Sequence, residues 1–310
     1  MGFLIRKWPL LAAVASLLVA LWQIDGVRIR AALRAGPEGG APWATAALGP
    51  ASHVATIEAR PIAGLDANVS GLTYSRATGT LFVVINRPPA VAELSLEGKL
   101  LRHIALPSLG DPEGITHVEG DLFIVSDEAD NRLHWVLLVS DERQVQPVDA
   151  TGLATDFSHQ HNLGFEGVSW DESRAELLLV DEKWPRRVLA VQGLEPHRRA
   201  GPGRLDVQAW RPSSWLGLLG SDLASLTTHP QTGHLLLLSE ESAIVSEYSR
   251  QGALLGLLPL WRGTAGLQAT VPQPEGITVG PGGEIFIISE PNLLYRFTPN
   301  GGAQAPAAKD

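Results

Sequence analysis

Three glutamates stand directly before glycine in similar surroundings. They are Glu113 in "DPEGITHVEGDLFIVSDE", Glu166 in "GFEGVSWDESRAELLLVDEK" and Glu275 in "QPEGITVGPGGEIFIISE". Each phrase runs through a short apolar stretch and a turn into a second apolar stretch that ends on acid: Asp127 and Glu128, Asp181 and Glu182, Glu290. Carboxylates brought close together repel one another and are costly to desolvate as ions, so something must compensate them. A hard divalent cation does this by taking several oxygen ligands. A carboxylate at such a site can also activate water. Both chemistries require the chain to gather these residues.

The gathering follows from repetition. Five lines align: "VSGLTYSRATGTLFVVIN", "PEGITHVEGDLFIVSDE", "FEGVSWDESRAELLLVDEK", "LASLTTHPQTGHLLLLSEE" and "PEGITVGPGGEIFIISE". Their small anchor residues, Gly71, Gly114, Gly167, Ala224 and Gly276, are 43, 53, 57 and 52 residues apart. Strand-rich periods of this size point to propeller blades or solenoid turns. Two further strand-like stretches follow each of the first four lines, such as "AVAELSL" and "LLRHIAL" after the first, giving four strands per unit. The fifth unit supplies only "LLYRFT", while "HVATIEARPI" before the first unit is a strand without a partner. The sequence therefore predicts an all-β, five-bladed β-propeller of four-stranded blades over residues 51–300, its ring closed by an N-terminal strand. An open array would leave unpaired edges exposed.

In a propeller the first strand of each blade lines the central channel and the second runs antiparallel to it. The residue that begins strand one and the residue that ends strand two then share one face of the ring. Glu113, Glu166 and Glu275 are thereby placed around one channel mouth, with Ca²⁺ as the expected ion. Asn68, Ser70, Asn86 and Asp222 are candidates for further oxygens from blades one and four. Solvated rim groups are the alternative for acids at strand ends. Asp127, Glu128, Asp181 and Glu241 read as such rim groups.

Ligand contacts are expected on the same mouth from Glu182, Glu240, Glu290 and Lys183, which either balances a carboxylate or meets an anionic group. Trp184 stands beside Lys183. "DFSHQHN" places His159 and His161 two apart with Asp156, in a loop before the third blade, and His161 is the residue retained as a ligand candidate. His117 and His229 read as turn residues. No Gly-x-Ser-x-Gly elbow, P-loop or dinucleotide fingerprint occurs.

Composition narrows the classes. The chain has 310 residues, a formal net charge of −9, 32 Gly, 22 Pro and no Cys. The acidic balance argues against a nucleic-acid partner, and the missing cysteines exclude disulfides, thiolate nucleophiles and zinc-thiolate sites.

At the N-terminus, Arg6 and Lys7 precede an apolar run from Trp8 to Ile24, with Asp25, Arg28 and Arg30 beyond it. A basic start and an apolar run read as an export signal. Leu18-Val19-Ala20 lacks the small residue that cleavage wants three positions before the cut. The reading is an uncleaved anchor over residues 1–30, a single-pass helix in the cell inner membrane with the propeller on the periplasmic side. Residues 31–50 read as an Ala/Gly/Pro linker and 301–310 as a flexible tail.

The phrases "DPEGITHVEGDLFIVSDE", "GFEGVSWD", "DEKWP", "SDLASLTTHP" and "QPEGITV", behind an N-terminal apolar segment, resemble the bacterial SdiA-regulated family from about residue 53 to 298. The resemblance implies a five-bladed propeller with a calcium site, and Glu113, Glu166 and Glu275 match its Glu-Gly positions. Blades one and four depart, with Ser70 and Leu223 at the aligned position. The family has no settled biochemical activity. Two functions are carried forward: a calcium-binding module or scaffold for a small-molecule or protein ligand, and a calcium-dependent hydrolase of lactones, esters or phosphates.

Overall fold

The run Leu235–Leu238 shows how the repeats fold. All four leucines are buried. Leu235 and Leu237 join one apolar cluster, while Leu236 and Leu238 join the next. A strand sandwiched between two neighbouring sheets is apolar on both faces, so it reads as a continuous run rather than an alternation. The same holds for the second strand of every repeat.

The computed structural model describes residues 25–38, 48–49, 51–152, 165–181, 186–194 and 205–300. It contains five four-stranded antiparallel sheets. Blade one is β2 (Val69–Ser75), β3 (Thr80–Ile85), β4 (Ala90–Leu94) and β5 (Leu100–Ala105). Blade two is β6 (Pro112–Glu119), β7 (Leu122–Asp127), β8 (Arg132–Leu137) and β9 (Asp149–Gly152). Blade three is β10 (Phe165–Asp171), β11 (Glu176–Asp181), β12 (Arg187–Gln192) and β13 (Asp206–Trp210). Blade four is β14 (Ser225–Thr228), β15 (Leu235–Ser239), β16 (Ile244–Tyr248) and β17 (Leu254–Pro259). Blade five takes β18 (Pro274–Val279), β19 (Ile285–Ser289) and β20 (Leu293–Pro299) from the C-terminal end, and its outer strand is β1 (His53–Pro61), antiparallel to β20.

Five apolar clusters fill the five gaps between blades. Phe82 of blade one meets Phe123 of blade two with ring centroids 4.6 Å apart. Ile277 and Phe297 of blade five pack against Leu236 and Leu258 of blade four. Burying each such side chain contributes about 1.5–3 kcal/mol, so closure of the ring is driven by every gap at once.

The inner strands converge so tightly that their backbones touch. A Cβ on Gly71 would lie 2.6 Å from the Glu113 carbonyl oxygen, and one on Gly114 would lie 2.6 Å from that of Glu166. The glycine of each Glu-Gly phrase is thus required by close approach of the next blade. The contacts also place blade four one residue out of the sequence alignment. A Cβ on Gly167 would meet the Cα of Ser225 at 2.7 Å, so the counterpart of the glycines is Ser225 rather than Ala224. Pairing agrees, since Ser225 faces Leu238 as Gly114 faces Ser126, each one residue before the end of the second strand. Ala224, not Leu223, therefore occupies the glutamate position.

Hydroxyls stitch the inner strands at four of the five blade junctions among the described residues. The Tyr74 amide donates to Thr278 Oγ1 at 3.0 Å, His117 to Thr73 at 3.2 Å, Trp170 to Thr116 at 2.9 Å and Thr228 to Ser169 at 3.0 Å. Each bond crosses a blade boundary and satisfies an amide that has no fifth strand to pair with.

The membrane reading is corrected. The apolar run 8–24 lies outside the described residues. Immediately after it, residues 25–35 form a short helix, α1, laid against blades three and four. Ile29 and Ala32 are buried with Val180, Leu219 and Leu257. The Arg28 guanidinium donates to the carbonyls of Leu216 and Leu218, the latter at 2.6 Å. Glu38 accepts from the Leu254 amide at 3.0 Å and from Ser214 Oγ at 2.7 Å. Among the described residues no helix is long and apolar enough to cross a membrane. A single-pass inner-membrane protein with a periplasmic propeller, partnered by the cytoplasmic membrane through an N-terminal helix, is therefore not what this structure supports.

Candidate metal centre at the acidic mouth of the channel

Glu113, Glu166 and Glu275 each occupy the second position of an inner strand, at the same end of the channel, and each is half-buried. Blade contacts order the mouth: Glu275 precedes a residue that packs on Ser70, Ser70 adjoins Glu113, and the glycine after Glu113 packs on Glu166.

Around Glu113 the carboxylates gather within blade two. Asp111, Glu113 and Glu128 bring carboxylate oxygens to within 4.8 Å of one another. Glu113 Oε2 accepts from Ser70 Oγ at 2.7 Å and Oε1 accepts from Asn86 Nδ2 at 3.2 Å. Burial pushes the Glu113 carboxyl up to about 7, against those two hydrogen bonds, and the charges of Asp111 and Glu128 push the same way. Arg87 pairs with Asp111 Oδ2 at 2.9 Å but is mostly exposed. Among the described residues, the buried atoms Asn86 Oδ1 and Asp111 Oδ1 have no hydrogen-bond partner. Hard oxygens in this arrangement fit calcium better than zinc, which favours nitrogen and sulfur ligands.

The sequence did not single out Asp111 and Glu128 as partners of Glu113. Glu128 was expected on the rim, yet its amide donates to the Asp111 carbonyl at 2.9 Å and its carboxylate joins the cluster. A signal existed. The same backbone bond links Asn86 to Asn68 at 3.1 Å and Glu290 to Gln273 at 3.1 Å, so Asn68, Asp111 and Gln273 share one repeat position. Glu290 and, through its amide bond to Asp222, Glu240 stand where Glu128 does in their own blades.

The other expected residues take different roles. Asn68, with a positive φ of 63°, donates Nδ2 to the Arg87 carbonyl at 2.9 Å and so holds the loop beside the cluster. Asp222 turns its carboxylate into its own hairpin, accepting from the amides of Glu240 at 2.9 Å and Glu241 at 3.1 Å and from the Ser239 hydroxyl. Burial raises its carboxyl above the ordinary range, against the Ser239 and Glu240 bonds. Asp127, also expected on the rim, is buried and caps a turn, accepting from the amides of Gly110, Asp111 and Ala129 at 2.7, 2.8 and 3.0 Å. Glu240 and Glu290 are half-buried on the same face. Glu182, Lys183, Trp184, Asp156, His159 and His161 lie outside the described residues.

Fold and site together define a five-bladed β-propeller with a carboxylate cluster at one channel mouth. The sequence model of the SdiA-regulated family matches residues 45–298. The chain belongs to that family. Among solved structures it is similar to a luciferin-regenerating enzyme, at 14% identity and a TM-score of 0.47, over 80% of this chain and 96% of that one. A calcium-binding protein, regucalcin, from Agrobacterium tumefaciens is similar at 11% identity and 0.47, over 80% and 96%. Virginiamycin B lyase from Staphylococcus aureus is similar at 11% identity and 0.43, over 79% and 100%. Likeness this distant does not extend to ligand or activity.

Proposed function

We propose that the acidic mouth holds a calcium ion and that the protein is a calcium-dependent binding module or scaffold, whose small-molecule or protein ligand meets the surface around that mouth. The observation that carries this reading is a pair of buried oxygens, Asn86 Oδ1 and Asp111 Oδ1, without partners among the described residues, beside a carboxylate held back from ionising. A cation would engage both oxygens and lower the cost of ionising Glu113. Asp111, Glu113, Glu128 and Asn86 would hold the ion. Glu166, Glu275 and Asn68 border them, and Glu240 and Glu290 extend the negative rim.

The test is the melting temperature of the full chain with calcium and with a chelator. Calcium should raise it, and Glu113→Gln and Asp111→Asn should each shrink the rise. No calcium-dependent shift in the wild-type protein means the metal reading is wrong.

One observation favours the hydrolase reading: a carboxyl near 7 is suited to proton transfer at neutral pH. Turnover of lactones, aryl esters or phosphomonoesters that disappears in Glu113→Gln would establish it.

A further inference from the structure

The channel has a second end. On the face away from the carboxylates, where each inner strand turns into the second, it widens into an open cavity of about 810 Å³ lined by all five blades. That is within the range of roughly 300–1,000 Å³ usual for small-molecule sites.

Its floor is a ring of hydroxyls: Thr73, Thr116, Ser169, Thr227 and Thr278, all buried. Thr73, Thr116 and Thr278 each accept a neighbouring blade's amide, which engages the oxygen and leaves the hydroxyl proton to donate. Several donors thus converge on one small space and call for acceptor oxygens.

The rim is built differently. Arg76 of blade one donates to Glu172 of blade three at 2.8 Å, past blade two, so the pair spans the opening. Both side chains are more than half exposed, at 60% and 65%. Such a pair contributes about 1 kcal/mol at most and gives way to better partners. Glu119 adds a second carboxylate to the rim, which disfavours anions. The partly buried rings of Tyr74 and Trp170 contribute apolar surface to the wall. Burial keeps His117 below its ordinary pKa, so at neutral pH it offers hydrogen bonds without a charge.

We propose that this funnel binds a small neutral polyhydroxylated ligand, of the size of a mono- or disaccharide. Ring hydroxyls donate to its oxygens, Glu172 and Glu119 accept from its hydroxyls, and the aromatic rings meet its C–H faces. This site is separate from the acidic mouth and does not depend on calcium.

Calorimetry and ligand-detected NMR on the full chain, in chelator, with a panel of hexoses, N-acetylhexosamines and disaccharides test the proposal. At least one sugar should bind. Glu172→Gln, on an exposed turn, should weaken it about tenfold, since the ligand's hydroxyl then meets a neutral amide oxygen in place of a charged carboxylate. Glu113→Gln should leave it unchanged. Three results overturn the proposal. One is no binding by any sugar at about 50 mM, far above the weakest affinity such a pocket should show. Another is binding indifferent to both Glu172→Gln and Arg76→Met. The third is binding of inorganic phosphate instead, lost in Arg76→Met, which would mark an anion site.

Discussion

Ser70 donates its hydroxyl to the Glu113 carboxylate at 2.7 Å, although the two residues belong to different blades. Ser70 stands where three other blades carry glutamate. The departure of blade one from the Glu-Gly pattern therefore places a donor beside Glu113 instead of another acid. It makes the mouth lopsided.

That relationship sets a pH dependence. The Glu113 carboxyl moves from an ordinary 4.5 to about 7 on folding, chiefly through burial. The folded state then binds this proton more tightly than the unfolded one. The associated stability is fully present below pH 4.5 and is lost as pH rises through about 7. In chelator, denaturant unfolding at pH 5 and pH 8 should show a loss on the order of 2–3 kcal/mol that Glu113→Gln abolishes. His53, His117 and His229 are lowered by burial and act in the opposite direction, losing stability as pH falls. The difference between wild type and Glu113→Gln is consequently the quantity to read.

Asp111 and Asp222 invite confusion in sequence, since both precede a channel strand, but their bonds separate them. Asp222→Ala removes the acceptor for two amides and a hydroxyl, and should cost about 1–3 kcal/mol with calcium affinity unchanged. Asp111→Asn keeps the shape, weakens an ion pair whose arginine is mostly exposed and relieves repulsion with Glu113, so stability should change by less than about 1 kcal/mol. Calcium affinity, by contrast, should fall about tenfold on loss of a charged ligand. Isothermal titration alongside chemical denaturation distinguishes the two variants.

The repeat was legible because it is written in backbone requirements. Glycine at the inner contact and apolar runs in the second strands are forced by geometry, so blade number and closure by residues 53–61 could be read directly. The site was legible only in part. Glu113 was visible from its repeat position. Asp111 was not, because its role depends on which way a side chain turns, and Asp222 at a similar position turns away. Glu128 was read as solvated because a strand end alone does not reveal that the chain folds its carboxylate back toward Glu113. Blade four slipped by one residue because Ala224 and Ser225 are both small. The cavity at the far end was missed although its signal, a Ser or Thr two residues after each anchor glycine, runs through the repeats.

Gly114 tests the close-approach argument. In an ordinary strand interior, alanine in place of glycine gains about 0.5–1 kcal/mol from reduced backbone entropy. Here the added Cβ would meet the Glu166 carbonyl oxygen at 2.6 Å, and backbone cannot rotate away as a side chain does. Gly114→Ala should instead destabilise by about 3 kcal/mol or more. Gly79, whose surroundings are open, is no control, because its φ of 71° strains any side chain. Denaturant midpoints for Gly114→Ala and Gly71→Ala should fall together if close approach between blades is the cause.

The hydroxyl ring makes a prediction that separates stitching from packing. Thr116 Oγ1 accepts the Trp170 amide across the boundary between blades two and three. Thr116→Val preserves the shape but leaves that amide without an acceptor, which should cost about 1–3 kcal/mol. Thr116→Ser keeps the oxygen and removes a methyl group, so its cost should stay near 1 kcal/mol, the transfer energy of the missing carbon. Hydrogen exchange locates the effect. The Trp170 amide should exchange faster in Thr116→Val and at close to the native rate in Thr116→Ser, while the His117 amide, held by Thr73, should be unchanged in both. Equal losses in the two variants would mean that Thr116 contributes packing rather than a stitch. The converse pattern follows from a stitch like those at the junctions of blades five and one, one and two, and three and four, where a hydroxyl of one blade accepts an amide of the next.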